Sequence, residues 1–551
     1  MIYIKIAESN KCVGTQSLYI TFDFSFSILE KIKNLPIRFY DNETKSWEVP
    51  IILLDQVKKN FEQFDYKIYG KIQELEEIKY NYKFKTNPLK HQLDAIQYGL
   101  NHAKFLLGDE MGLGKTKEVL DLACIRKTRD EVKRVLVVCG INTLKFNWLS
   151  EIEKHTDERG WILGSRKTKN GKIRVGSNLD KLEDLRNLDE DIMFMITNIE
   201  SFRNPDFTFE VEKLCAKNKI DMIIFDEAHT MRNQNAQQTK GVLRIQAKYM
   251  VAMSGTFILN RPLDLFSPLK WTGYYKESYY RFKNNFTITD NWGNVCGTRN
   301  MSLLRKLVSS YMLRRLKSEV LDLPEKSYVE EKLEMTAKQA IIYEEVMNEL
   351  RANIDKIRLS SNPLTEILRA RQATGYTGLL STTIRESAKL DRLVELVDEI
   401  SNNGYKCLVY SNWSMIIEEA KNRLQEFNPA IITGDYKDYD IELQKKKFKE
   451  DSTCKVACGT IGKMGTGLTL NEANYVIFLD SPWTKGVKEQ AIDRCHRIGQ
   501  KNNITVITLV CKDTVDEKIE YIVEQKGQTA DLLIDGKAAN NSMLAEWLLY
   551  D

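Results

Sequence analysis

The 551-residue sequence holds ten cysteines but no Cys-x-x-Cys pair, and only five histidines. A disulfide framework or a zinc module is therefore not indicated. Cys454 and Cys458, the closest two, read as core thiols rather than as half of a metal site. No apolar run reaches the roughly 20 residues that a membrane span needs, and the first residues lack the basic-then-apolar pattern of a secretory signal. No low-complexity tract and no solenoid repeat is present. An excess of one charge is also missing, for the net charge is only +4. That near-neutral total leaves nucleic acid open as a partner, because a basic track along one face is what matters there. The expected setting is a reducing, cytoplasmic compartment, with no membrane and no zinc.

What is present is an ordinary globular composition, 42% apolar and 29% charged, in a chain too long for one core. Two or three domains are expected. Residues 1–80 carry an aromatic and β-branched run at Ser17 to Phe24, an amphipathic stretch at Ile28 to Ile32, a turn at Asp41-Asn42-Glu43 and then Trp47-Glu48-Val49-Pro50. This reads as a small α+β accessory domain. Glu74 to Lys85 is a charged linker, helical or extended. Between residues 86 and 318, apolar runs alternate with helical periods, and strands are expected at Phe105–Leu107, Val135–Cys139, Ile192–Thr197, Met222–Phe225 and Tyr249–Met253. Continuous apolar strands separated by helices imply a parallel sheet covered on both faces. A charged section at 319–384 reads as a helical insertion. A second strand series fills 385–525: Cys407–Tyr410, Ala430–Thr433, Val456–Cys458, Tyr475–Leu479 and Ile504–Val510. Residues 526–551 form a C-terminal tail. The fold class is α/β, two parallel-sheet lobes joined by a helical insertion and preceded by a small α+β domain.

The loop Gly108-Asp109-Glu110-Met111-Gly112-Leu113-Gly114-Lys115-Thr116 lies between an expected strand and an expected helix. Backbone N–H groups of such a loop converge on phosphate oxygens, aided by the positive end of the following helix. Lys115 reaches the β- and γ-phosphates and Thr116 ligates magnesium. The general phosphate-loop pattern has glycine where this chain has Asp109. Met222-Ile223-Ile224-Phe225 then delivers Asp226-Glu227-Ala228-His229 to a strand end, where open α/β sheets place ligand-binding groups. Asp226 holds magnesium through water and Glu227 orients or deprotonates the attacking water. Gln92, in Pro88-Leu89-Lys90-His91-Gln92, has both the donor and the acceptor that an adenine edge requires. The cofactors expected are ATP and Mg2+.

These strings, in this order, resemble helicase superfamily two and within it the Swi/Snf-type DNA-dependent ATPases. The resemblance spans residues 86 to 525. It also rests on Asn147-Trp148-Leu149-Ser150-Glu151, Met253-Ser254-Gly255-Thr256 followed by Asn260, Met312-Leu313-Arg314-Arg315-Leu316-Lys317, and above all Gln490-Ala491-Ile492-Asp493-Arg494-Cys495-His496-Arg497-Ile498-Gly499-Gln500. It implies two RecA-like lobes that share one ATP. Arg494 and Arg497, three apart and on one face of a helix if they are helical, act as arginine fingers on the γ-phosphate. Gln490 touches the nucleotide or its water. The whole loop from Asp109 to Thr116 (Asp109, Glu110, Met111, Gly112, Leu113, Gly114, Lys115 and Thr116) cradles the nucleotide, and Ser254 and Thr256 couple phosphate state to lobe movement.

The resemblance also implies a nucleic-acid track built of hydroxyls, amides and cations, the groups that grip a backbone rather than read bases. Its candidates are Thr143, Asn147 and Thr197 in the first lobe and Ser411, Asn412, Thr460, Thr466 and Trp483 in the second. Arg314-Arg315-x-Lys317 and Lys445-Lys446-Lys447 are further candidate phosphate contacts. Asp480-Ser481-Pro482-Trp483-Thr484-Lys485 departs from the family's usual Trp-Asn-Pro, which leaves that loop's shape open. No aromatic platform for single strands stands out, which favours duplex tracking. Gly467-Leu468-Thr469 and the stretch Leu35-Pro36-Ile37-Arg38-Phe39-Tyr40 to Pro50 are similar to the annealing-helicase, HARP-containing branch, whose accessory domain recognises branched or forked DNA. The expected protein is a monomeric ATP hydrolase that tracks double-stranded or forked DNA in replication, repair or recombination, and its compactness suits a bacterial nucleoid or a phage-infected cell. The competing expectations are a strand-separating DNA or RNA helicase and a non-hydrolysing ATP-dependent scaffold.

Overall fold

The computed structural model describes residues 1–9, 16–35, 38–42, 44–71, 77–141, 144–167, 173–187, 189–255, 257, 262–290, 295–309, 311–321, 324–353, 364–465 and 468–525. The chain divides into two compact units, Met1–Val320 and Leu321–Asp551.

The first unit opens with a five-stranded mixed sheet. Alternation builds it: in the strand Ile2–Glu8 the residues Ile2, Ile4 and Ile6 are buried while their neighbours face outward. That strand pairs antiparallel with Gln16–Phe22, with Ile4 opposite Ile20, and parallel with Tyr66–Tyr69. Ser46–Pro50 and Phe39–Asp41 complete the sheet on the far side of Gln16–Phe22. The helix Phe26–Lys33 turns Ile28 and Ile32 into the core, as its spacing predicts. Residues 77–85 have no regular secondary structure; Ile78 exchanges two backbone hydrogen bonds with the side chain of Gln97, and Tyr80, Tyr82 and Phe84 pack on the core that follows.

The rest of the first unit is a seven-stranded sheet in the order Met312–Leu313, Lys104–Leu107, Tyr249–Met253, Met222–Asp226, Val135–Cys139, Ile192–Asn198, Arg159–Ile162. Each of these pairings is parallel. The middle strands are buried on both faces, as near-continuous apolar runs require.

The second unit is a six-stranded sheet, again parallel throughout, in the order Lys326–Leu333, Ile504–Cys511, Tyr475–Phe478, Cys407–Ser411, Val456–Thr460, Ala430–Ile432. The expected strands are all present with ends shifted by a residue or two. The section expected to be a helical insertion differs. It contains the helices Ala337–Ala352 and Leu364–Gly375, but it also begins with the strand Lys326–Leu333, which runs eight residues alongside Ile504–Cys511. The second sheet thus starts well before residue 385. This is an edge strand whose residues are exposed or half-buried, so it carries no apolar run by which to be seen.

Candidate active site

In the first unit the groups expected at the nucleotide come together at the C-terminal ends of three neighbouring strands. Lys104–Leu107, Tyr249–Met253 and Met222–Asp226 are adjacent and parallel, so their C-terminal ends deliver Gly108 onward, Ser254 and Asp226-Glu227 to the same place. Gly112 (φ 85°) and Gly114 (φ 87°) take left-handed backbone, which bends the loop back to the N-terminus of the helix Lys115–Thr128. Gly255 permits a second close approach, because a Cβ there would lie 2.4 Å from the Met111 side chain.

Lys115 donates from Nζ to the carbonyls of Asp109 at 2.8 Å and Glu110 at 3.2 Å. Burial pulls its pKa below the ordinary lysine value, and the charges of Glu227, Asp109 and Asp226 oppose that shift. Asp226 accepts from the indole N–H of Trp148 at 2.8 Å and from the backbone N–H of Glu227 at 2.9 Å. Burial, and then the charge of Glu227, push the Asp226 carboxyl up to about 6, against the Trp148 hydrogen bond and Lys115. Glu227 holds left-handed backbone at φ 53°, a strained conformation for a residue with a side chain. Gly140 makes room for it, since a Cβ at Gly140 would meet the Glu227 carbonyl at 2.6 Å. The Glu227 carboxylate lies 3.1 Å from His229 Nδ1 and accepts from Ser254 Oγ at 3.4 Å, while His229 Nδ1 and Ser254 Oγ are 3.0 Å apart. Burial lowers the His229 pKa, but Glu227 raises it further, so the imidazole sits above its ordinary value.

Thr116 and Asp226 suit magnesium, which takes one or two protein oxygens and draws its remaining ligands from phosphate and water. Among the described residues no group of three or more His, Cys, Asp or Glu forms a self-sufficient metal cage.

Several expectations need correction. The Asp109 carboxylate is fully buried and bound by Arg315, so it does not face a nucleotide. Arg315 is for the same reason no phosphate contact; its guanidinium is spent on Asp109 and Glu118. Gln92 is buried, accepting from the Leu89 N–H at 3.0 Å and donating to the Leu113 carbonyl at 3.3 Å. It holds the loop, and both ends of its amide are already engaged. Glu110 accepts from the Lys317 N–H at 2.8 Å, and Met111 and Leu113 pack inward. Thr197 is 1% exposed with its hydroxyl against Ser201, which removes it from any surface track. Asn147 is half-buried on the helix Leu144–His155. Thr143, Thr256, Asn260 and Thr466 lie outside the described residues.

In the second unit the helix Lys485–Ile492 carries Gln490, half-buried, and stops before both arginines. Arg494 and Arg497 therefore lie in turns, not on one helical face. The i−3 bonds Arg494 N–H to Ala491 and Cys495 N–H to Ile492 tighten the chain there, and the Gln500 amide donates to the carbonyls of Asn471, Ala473 and Cys495. Arg494 donates to the Gln490 carbonyl at 3.0 Å, and Arg497 to the Thr469 hydroxyl at 2.5 Å. Asp480 organises the loop whose shape the sequence leaves open: it accepts from Ser411 Oγ at 2.6 Å and from the Asn412 N–H at 2.9 Å. Ser411 is fully buried by this bond. Trp483 is half-buried beneath the Arg371 guanidinium, 4.6 Å from its ring centre, and Thr460 precedes the short helix Ile461–Met464. Of the lysine run, Lys445 is buried against Glu442 and Lys447 donates to the Pro429 carbonyl, which leaves Lys446 as the exposed member.

Sequence reasoning missed Trp148 and Arg371. Trp148 belongs to the stretch Asn147 to Glu151, yet nothing in the sequence assigns its indole to a carboxylate 78 residues away.

The chain matches the SNF2-related domain over residues 60–378 and the helicase conserved C-terminal domain over residues 388–499. It is 27% identical over 500 residues to an uncharacterized ATP-dependent helicase of Mycoplasma pneumoniae, covering 87% of this chain and 46% of that protein. It is 26% identical over 482 residues to the mouse DNA annealing helicase and endonuclease ZRANB3, covering 83% of this chain and 41% of that protein. The chain thus spans less than half the length of either relative. Among solved structures it is similar to the Sulfolobus solfataricus SWI2/SNF2 ATPase core in complex with dsDNA, at 24% identity and a TM-score of 0.38, over 86% of this chain and 97% of that one. With the phosphate loop, Asp226-Glu227 and the Gln490 to Gln500 string in place, the chain belongs to the SNF2-related ATPases of helicase superfamily two.

Proposed function

We propose that this protein is an ATP-driven translocase on double-stranded DNA, acting at forked or branched substrates. The observation that carries the reading is the hydrogen-bonded chain Glu227–His229–Ser254. It ties the hydrolytic carboxylate to the loop leaving Tyr249–Met253, so a change at the γ-phosphate is passed into the backbone of the first unit. Thr116 and Asp226 would hold magnesium, which when bound would neutralise charge on the phosphates. Lys115 exchanges its two carbonyl partners for phosphate oxygens, and Glu227 takes the proton from the attacking water. Arg494 and Arg497 stabilise the charge that develops on the transferred group.

Asn412, Thr460 and Trp483, with Asn147 in the first unit, are the groups proposed to grip the DNA backbone, and Asp480 holds the Asn412 loop in shape. Lys33, Arg38, Tyr40 and Trp47 of the accessory domain share a cleft of about 420 Å³ with Glu277 and Arg281 of the following domain. Tyr40 and Trp47 face each other across two strands with ring centres 5.0 Å apart. Cationic and aromatic side chains lining one cleft suit a nucleic-acid strand, which supports a role for residues 1–80 in fork preference. The DNA annealing activity named for the mouse relative is in keeping with it.

The test is ATP hydrolysis measured without nucleic acid and with single-stranded DNA, duplex DNA, forked DNA and RNA, together with displacement of a triplex-forming strand. Stimulation by duplex and forked DNA and triplex displacement without unwinding are expected. Stimulation by RNA alone overturns the reading, and efficient duplex unwinding replaces it with a strand-separating helicase.

A further inference from the structure

Beside the Gln92 contact, the phosphate loop of the first unit is fastened to the segment that follows Met312–Leu313, where one side chain makes several of the bonds. Beyond the strand Met312–Leu313 the chain runs alongside the loop: Gly108 N–H donates to the Leu313 carbonyl at 2.8 Å, Glu110 N–H to the Arg315 carbonyl at 3.0 Å, and Lys317 N–H to the Glu110 carboxylate at 2.8 Å. Arg315 N–H reaches Asp109 Oδ1 at 2.9 Å, and its Nε lies 3.2 and 3.1 Å from the two Asp109 oxygens. Its Nη2 bonds Asp109 again and Glu118 Oε1 at 3.1 Å, and its Nη1 donates to the His91 carbonyl. Asp109 and Glu118 are almost wholly buried, and among the described residues this guanidinium forms an ion pair with each of them. Among the described residues Glu118 Oε2 finds no hydrogen-bond partner of its own. Asp109 and Glu118 flank the nucleotide-binding residues, one before the glycines and one in the first turn of the helix Lys115–Thr128. One planar fork thus grips both ends of the loop, a geometry that lysine does not reproduce.

We propose that Arg315 is a positioning residue of the ATPase, which sets the curvature of the phosphate loop through Asp109 and Glu118 and makes residues 311–317 move with it when nucleotide binds. A carbonyl-bound Lys115 must leave Asp109 and Glu110 to meet phosphate, and those two residues are the ones that the segment holds. The inference rests on the ATPase chemistry and does not require the reading on DNA.

The experiment compares the full chain with Arg315→Lys, Asp109→Asn, the double variant, and Arg126→Lys, which alters another mostly buried ion pair in the same unit, Arg126–Glu131. Affinity for a fluorescent N-methylanthraniloyl ATP is titrated directly without DNA, melting is followed in parallel, and backbone hydrogen exchange is read over 311–317 with and without nucleotide. Arg315→Lys is expected to weaken nucleotide binding about tenfold, in keeping with loss of one bidentate charge-assisted contact. The double variant is expected to be no worse than either single one, and the nucleotide-induced protection of 311–317 is expected to disappear. Arg126→Lys is expected to lower melting alone. Affinity within about twofold of the parent, additive single effects, or an equal loss of affinity in Arg126→Lys overturns the proposal. If Arg315→Lys does not fold, Glu118→Gln is read by the same two measurements: a weakened affinity with lost protection supports the proposal, and parental values for both overturn it.

Discussion

At the scale of single residues, two features of the ATP site lead to direct outcomes. Glu227 keeps its strained left-handed backbone because Gly140 leaves room and because its carboxylate is held by His229 and Ser254. Glu227→Gln keeps the shape and removes the carboxylate proposed as the base. It is expected to reduce phosphate release by about 10²- to 10⁴-fold while ATP affinity stays within about threefold, measured by steady-state hydrolysis and by nucleotide titration. Asp226 is the second case. The Trp148 indole favours its ionised form, while burial and Glu227 favour the protonated one. Trp148→Phe removes one hydrogen bond to a charged group, about 1.5–3 kcal/mol. The magnesium concentration for half-maximal hydrolysis is expected to rise by about fivefold or more, and an unchanged magnesium titration contradicts the role given to Trp148.

At the scale of elements, the edges of both sheets explain what the sequence hides. The central strands are apolar on both faces and stand out by composition alone. Met312–Leu313, Arg159–Ile162 and Lys326–Leu333 are edge strands, short or mostly exposed, with no run to betray them. Lys326–Leu333 is held in part by side chains: Lys326 bonds Glu489 at 2.8 Å, and Tyr328 donates to the other Glu489 oxygen at 2.9 Å. Glu489 belongs to the helix that carries Gln490. Burial pushes the Glu489 carboxyl up, but the Lys326 hydrogen bond and charge, with the Tyr328 bond, hold it below the ordinary carboxylate range. A depressed carboxylate contributes stability that is present above its unfolded value and is lost as pH falls through its folded one. Glu489→Gln is therefore expected to cost about 1 kcal/mol at neutral pH and progressively less as pH drops below the carboxylate range. Chemical denaturation at several pH values checks this; a cost independent of pH contradicts the pairing.

At the scale of the whole molecule, ATP binding and hydrolysis are expected to separate between the two units. The first unit holds the loop, Lys115 and Asp226-Glu227; the second holds Arg494 and Arg497. Arg497→Gln is expected to leave nucleotide affinity near the parental value and to reduce single-turnover hydrolysis by about 10³-fold or more, the range attributed to arginine fingers. An equal loss of affinity and turnover contradicts that division. In the accessory domain, Trp47→Ala with Arg38→Ala is expected to remove fork preference while duplex-stimulated hydrolysis persists. Retained fork preference contradicts the use of that cleft.

The sequence by itself determined the two parallel-sheet lobes, the nucleotide loop and the strand-end acids, because each is written in a contiguous run. A buried parallel strand shows as a short continuous apolar run, and a phosphate loop carries its glycines, lysine and threonine within a few residues of one another. The tertiary structure alone decided which polar groups face which. Arg315 meets Asp109 across 206 positions, Trp148 meets Asp226 across 78, and Ser411 meets Asp480 across 69. It also decided that Arg494 and Arg497 stand in turns rather than on a helix, since that depends on where the Gln500 amide finds its carbonyls. Such partnerships are set by burial: a charged group taken out of water must be matched by whatever the fold brings beside it, and spacing along the chain does not record that choice.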